Sequence, residues 1–313
     1  MIRKILTLAL IISFFTGNSQ DNKISGSITG LENEKLYLMK LMGEKRSFID
    51  TIQTDLTGSF TFDIPENTDP GMYLIIKGPG QAVELIYNNE DIQFTTTGFE
   101  DKDGIQIISS VENLIYYDYL SIKGVNLYKI DVITNLLRSY PPNDEFYISA
   151  IEQYNFLKTQ LNNRIDQLVD NNPLTLASRY LTTDRPLIVD PTLNDSEKNN
   201  YLKNNFFDNI DFADTMLIKS TFLTSKVVNY LGLFQNEANS QEELEDFMLM
   251  GVDTVLQHAQ VNQKVYEFLV DFLIGAHAGI KKEERKRIVE YDIIEVLDQS
   301  DNYIEYLEKH TLQ

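Results

Sequence analysis

The chain has 313 residues, of which 42% are hydrophobic and 11% aromatic. That is enough to bury a sizeable core and more than one compact domain usually holds, so two domains are expected. Against 27 Lys and Arg stand 47 Asp and Glu, a net charge of −20 that repels phosphate backbones and argues against nucleic acid as a partner. So high an apolar content also excludes a disordered acidic chain, and the absence of cysteine excludes disulfides, thiolate ligands and a CxxC redox centre.

At the start, Arg3 and Lys4 form a basic n-region and Ile5 to Phe15 an apolar h-region too short to span a bilayer, the pattern of a cleaved signal peptide over residues 1–19. Small residues Gly17 and Ser19 suit the positions before the cut, leaving Gln20 as the new N-terminus. A lipoprotein needs a cysteine at that site, so a periplasmic or otherwise exported chain without a lipid anchor is expected. No later stretch approaches the run of about eighteen apolar residues that a membrane span requires.

From Lys23 to about Ile108 the pattern is of short strands with alternating apolar residues, punctuated by Gly, Asn and Asp. Ile24, Gly26 and Ile28 share a face of the first strand, Leu36 and Leu38 a face of the second. Phe48 to Thr54 makes a third and Ser59 to Ile64 a fourth, with Asp55-Leu56-Thr57-Gly58 joining them as a tight hairpin. Gly71 to Lys77, Ala82 to Tyr87 and Asp91 to Thr97 continue the series. After Val111 the texture becomes helical. Tyr154, Leu157, Leu161, Ile165 and Leu168 recur at intervals of three and four before Pro173. Ser240 and Glu243 have capping-box spacing ahead of a helix carrying Leu244, Phe247, Met248, Val252, Val255 and Leu256. Helices follow at about Gln263 to Ala278 and Lys282 to Asp298, while Leu187 to Asp195 is irregular. The expected fold is α+β, an N-terminal antiparallel β sandwich over 23–110 followed by an all-helical domain over 111–313.

Ile24-Ser25-Gly26-Ser27-Ile28-Thr29-Gly30-Leu31, Leu36-Tyr37-Leu38, Ile49-Asp50-Thr51-Ile52 and Asp55-Leu56-Thr57-Gly58-Ser59-Phe60-Thr61-Phe62 appear in that order. The set resembles the uncharacterised N-terminal β domain of periplasmic TlpA-like thioredoxin-family proteins of Bacteroidota. Asn205-Phe206-Phe207-Asp208-Asn209-Ile210-Asp211-Phe212-Ala213-Asp214 resembles the segment that marks the helical domain following it. In those proteins a redoxin domain with a Trp-Cys-x-x-Cys centre comes next, whereas this sequence has neither cysteine nor tryptophan. The resemblance therefore implies a non-catalytic accessory region that positions a redoxin domain or recognises its protein client. The rival expectation is an envelope binding module that captures a peptide or glycan between sheet and helices.

No residue is assigned as catalytic, cofactor-binding or metal-binding. His258, His277 and His310 lack HExxH spacing and are read as satisfied or solvent-facing. Asp101-Lys102-Asp103-Gly104 would need a carboxylate where Phe99 stands to be a calcium loop. Asp208, Asp211 and Asp214, with Asn209, could hold a hard cation in principle, but no glycine-centred loop shapes them, and capping and turn chemistry is the preferred reading. Lys281, Lys282, Arg285, Lys286 and Arg287 are interleaved with Glu283 and Glu284, as on a solvated helix start. Tyr116, Tyr117, Tyr119 and Tyr128 are read as core aromatics on an amphipathic helix, with a carbohydrate or peptide groove as the alternative. The intact mass of material recovered from the periplasm tests the signal peptide: a chain beginning at Gln20 is expected, and retained Met1 would contradict it.

Overall fold

In the computed structural model, residues 22–99, 104–142, 144–235 and 240–276 are described. Among the described residues eight strands precede seven α-helices: β1 Asn22–Ile28, β2 Lys35–Met42, β3 Lys45–Gln53, β4 Ser59–Ile64, β5 Gly71–Gly78, β6 Gln81–Tyr87, β7 Ile92–Thr96 and β8 Gln106–Ser109, then α1 Val111–Ser139, α2 Glu145–Asn171, α3 Leu176–Asp184, α4 Asp195–Asn205, α5 Phe222–Gln235, α6 Gln241–Ala259 and α7 Gln263–Ala276. The fold is α+β, and the change from strands to helices falls at Ser110. The signal segment, Asp101 to Asp103, the basic run from Lys281, the helix expected from Lys282, His277 and His310 lie outside the described residues.

The strands form two four-stranded sheets, ordered β4-β1-β7-β8 and β3-β2-β5-β6. Most neighbours run antiparallel, but β1 and β7 pair in parallel, Ile24 beside Ile92 and Gly26 beside Phe94. The hairpin expected across Asp55–Gly58 is instead a crossover, because β3 pairs with β2 in one sheet and β4 with β1 in the other. Asp55 Oδ1 accepts the amides of Thr57 (2.7 Å) and Ser59 (2.9 Å), and Gly58 adopts φ 74° with its absent Cβ directed at the Ile28 carbonyl. Such a turn reverses the chain without specifying its neighbours. Pairing is decided by Phe60, Phe62 and Ile64, which pack between the sheets with Ile24, Leu36 and Tyr73.

Strand β5 has both faces buried. Tyr73 and Ile75 face the sandwich interior, whereas Met72 and Leu74, with Leu41 and Ile86, pack among Tyr119, Leu217, Phe222 and Leu223 on the helical side. The β3-β2-β5-β6 sheet is thus a middle layer between the other sheet and the helices, and the apolar core continues past Ser110. The β2–β3 turn adds a second tie. Gly43, at φ 54°, donates to the Ile218 carbonyl (2.9 Å), and a Cβ there would stand 2.6 Å from the Phe268 ring. Thr224 Oγ1 donates to Glu44 beside it (2.9 Å).

A buried polar junction sets where α1 begins. The Asn113 side chain pairs with both backbone groups of Ile86, accepting its N–H and donating to its C=O at 2.8 Å each, as a neighbouring strand would. One turn on, Tyr117 donates to the Glu84 carbonyl (2.8 Å), so α1 covers the open edge of β6. Ser110 holds φ 142°, a conformation that L residues avoid, and is fixed there by three partners. Its Oγ donates to Glu90 (2.6 Å) and accepts from the Asn113 amide (3.0 Å) and the Asn113 side chain (2.7 Å). The buried Glu112 carboxylate accepts the first two amides of α3, Leu176 (3.0 Å) and Ala177 (2.7 Å), and the Asn88 side chain (2.6 Å).

Glu112→Ala strips a charged acceptor from two buried amides and is expected to destabilise the chain by about 2–4 kcal/mol. Glu112→Gln, which keeps one acceptor, should lose about half of that. Urea unfolding measures both, and an unfolding free energy unchanged in Glu112→Ala would contradict the role given to the junction.

Candidate functional site

A cleft of about 470 Å³ opens between the α2–α3 corner and the turns before α5, with Arg179, Ser178 and Thr182 on one wall and Asn209, Asp211 and Asp214 on the other. Local sequence shapes both walls. Asn172 and Pro173 end α2, and Thr175 caps α3 by accepting the Ser178 amide (3.1 Å). Across the cleft, Asp211 Oδ1 accepts the Ala213 amide and Asp214 Oδ1 the Met216 amide, each at 2.9 Å. Phe207 and Phe212 anchor these turns among Tyr230 and His258, whose imidazole stacks on Phe212 at 5.4 Å. Arg179 Nη1 spans the cleft to Asp214 (3.2 Å) and remains half-exposed.

The three aspartates singled out in the sequence are therefore used differently. Asp211 and Asp214 hold turns, Asp214 also neutralises Arg179, and Asp208 faces solvent. Among the described residues no three His, Asp or Glu side chains converge to share a metal ion, and no helix is long and apolar enough to cross a membrane.

The tyrosines divide as well. Tyr116 and Tyr119 are fully buried, Tyr117 is half-buried and Tyr128 is 73% exposed. Tyr116 donates to the Glu84 carboxylate (2.9 Å) and Tyr119 to Asp184 Oδ2 (2.9 Å), which also pairs with Lys123. Lys226 donates to the Arg185 carbonyl (2.9 Å) at the same helix end, and burial holds its pKa below the usual lysine range. Sequence reasoning misses Arg179, Lys123, Asp184 and Lys226. Their partners lie 35 to 65 residues away, beyond any local spacing signal.

Comparison with known families places two matches on this framework. Residues 22–125 match a domain of unknown function, DUF4369, and residues 185–284 match a second, DUF5106. The first match runs past the sandwich into α1, as far as the helix turns that cover β6. The second takes in the segment from Arg185 through α7, including the Asn209–Asp214 wall of the cleft. No curated protein matches the chain.

Burial, then the neighbouring carboxylates, raises the phenol pKa values of Tyr116 and Tyr119, and burial with Asp190 pushes Tyr154 up to about 12. Because the folded pKa lies above the unfolded value of about 10, the neutral phenols contribute stability that is fully present below pH ~10 and lost as pH rises through the folded values. A near-ultraviolet absorbance titration should therefore reach full phenolate amplitude only as the circular dichroism of the fold disappears. Complete ionisation with native dichroism intact would contradict the burial of these groups.

Proposed function

We propose that this chain is a non-catalytic binding and positioning module of the periplasm, working beside a TlpA-like thiol–disulfide oxidoreductase and presenting a protein client to a redox centre that the chain itself does not carry. The observation that carries this reading is the placement of the Asn205–Asp214 segment. It bears the helical-half resemblance to those proteins, and it supplies Asn209, Asp211 and Asp214 to the open Arg179 cleft. The other close-set ionisable groups described above are engaged in holding the fold: Glu112 on α3, Glu84 on Tyr116, and Asp184 on Tyr119 and Lys123. Thiol–disulfide exchange needs a thiolate and passes through a mixed disulfide, so a chain without cysteine contributes by holding a client near a partner's thiol, where effective concentration raises the rate.

The second reading, an envelope module for a peptide or glycan, is favoured by the mixed lining of the same cleft. Ser178, Thr182 and Arg179 stand beside Val169 and Leu217, the combination of a few polar groups on an apolar wall that fixes small ligands.

Disulfide reduction of a protein client, followed with the chain alone, with a relative's redoxin domain, and with the two joined, separates these readings. The chain alone should show no turnover after thiol blocking, and the joined protein should act several-fold faster on the client than the free redoxin domain. Arg179→Ala is expected to remove much of that gain. Turnover by the chain alone, or identical rates for free and joined redoxin domains, would overturn the positioning role. In the latter case, calorimetric binding of a peptide or glycan abolished by Arg179→Ala would support the second reading.

A further inference from the structure

Helix α1 carries a second pattern on the side turned away from the core. Val111, Leu114, Val125, Tyr128 and Val132 fall on a repeat of alternating three- and four-residue steps whose two remaining positions are Asp118 and Ser121. This is the a/d spacing of a coiled-coil seam. The five apolar members are 53%, 52%, 51%, 73% and 49% exposed, and Ile108 just before the helix is 56% exposed. Nothing in the described fold covers the stripe. A groove of about 720 Å³ runs beside it, between α1 and the sandwich edge at Ile105 and Ile107.

We infer that this face is a self-association surface, on which α1 of a second copy of the chain packs antiparallel to form a two-fold dimer. Three observations select a second copy as the occupant. The first is that the stripe is complementary to its own reverse. With the two-fold axis crossing α1 between Tyr119 and Leu120, Val111 meets Tyr128 of the second copy and Leu114 meets Val125. Asp118, whose Oδ2 is paired with Arg164 of α2 in its own chain, then meets Ser121, a hydroxyl donor opposite the remaining carboxylate oxygen. Each pairing occurs twice, as an isologous interface demands, and the central polar layers fix the register as a buried polar a position does in coiled coils.

The second is charge. In a chain of net charge −20, Glu112, Asp118 and Asp131 of α1 are balanced by Lys123, Lys129 and Arg138. Two copies thus approach through a neutral helix instead of through the acidic remainder of the surface.

The third is Gly124, a helix-weakening residue in mid-helix where a Cβ would meet nothing within 4 Å. No packing within the chain requires a glycine there. In the antiparallel register it flanks the seam opposite Tyr117 of the second copy, where a missing side chain admits the ring.

Analytical ultracentrifugation of the full mature chain tests the association. A species of twice the chain mass is expected, shifting to the monomer in Val125→Asp and in Tyr128→Glu, with the native circular dichroism unchanged because both sites are exposed and with melting lowered only by the lost association. A monomer across the accessible concentration range, or a dimer that survives both substitutions, would overturn the proposal. The cysteine-free background makes the register directly readable. A Leu114→Cys chain mixed with a Val125→Cys chain should form a disulfide-linked heterodimer on mild oxidation, while neither chain alone links efficiently. Efficient linking of the Leu114→Cys chain to itself would mean a parallel seam and would overturn the antiparallel arrangement.

Discussion

The arrangement of this molecule depends on one buried carboxylate and its neighbour. Glu112 is turned into the interior, where an unpaired charge would be strongly unfavourable, and it is tolerated there because two α3 amides and Asn88 converge on it. With Thr175 taking the Ser178 amide and donating its own amide to the Asn172 carbonyl (3.2 Å), all four amides left without helical partners at the start of α3 are satisfied, and the helix dipole favours the negative charge. Asn113, the next residue, points to the other side of the junction and completes the edge of β6. Two adjacent side chains thereby fix α1 against a sheet and α3 against α1. The α2–α3 corner that forms one wall of the Arg179 cleft inherits its position from them.

The same junction explains why the β3-β2-β5-β6 sheet works as a middle layer. A helix anchored at β6 directs the following chain over the outer face of that sheet, where Met72, Leu74 and Leu41 need cover. The β2–β3 turn closes the arrangement from the far end through Gly43 and Glu44. Sandwich and helices are consequently adjacent in space through side chains that alternate along single strands, which leaves little freedom for one to swing against the other.

Much of this was legible in the sequence where burial is one-sided. The stripe from Tyr154 to Leu168 is buried as its spacing demands, and Phe60, Phe62 and Ile64 alternate as expected. Other elements left weaker marks. Helix α5 buries one side, at Leu223, Val227, Tyr230 and Phe234, but the exposed Val228 and half-buried Leu233 put apolar residues off that side and blur the stripe, whereas α4 has no buried residue and depends on a reciprocal cap between Asn194 and Glu197. The unbroken apolar run from Met72 to Ile76 is the signature of a strand covered on both faces. Read that way, it announces a third layer. The aspartates of the candidate cleft were legible as turn formers, but Arg179 was not, because its partner Asp214 is distant in sequence and only tertiary packing brings them together.

The middle layer also governs the order in which the chain becomes stable. Synthesis delivers the eight described strands before the described helices, yet the cover for Met72 and Leu74 includes Leu217, Phe222 and Leu223, some 140 or more residues later. Until those residues arrive, the nascent sandwich presents an apolar sheet face, a feature that recruits other chains into aggregates, and before α1 docks its β6 edge is open as well. Contacts so remote along the chain also close slowly. Folding yield should therefore be limited by late helical docking, with α1 serving as the earliest shield because it follows the strands directly and reaches β6 first.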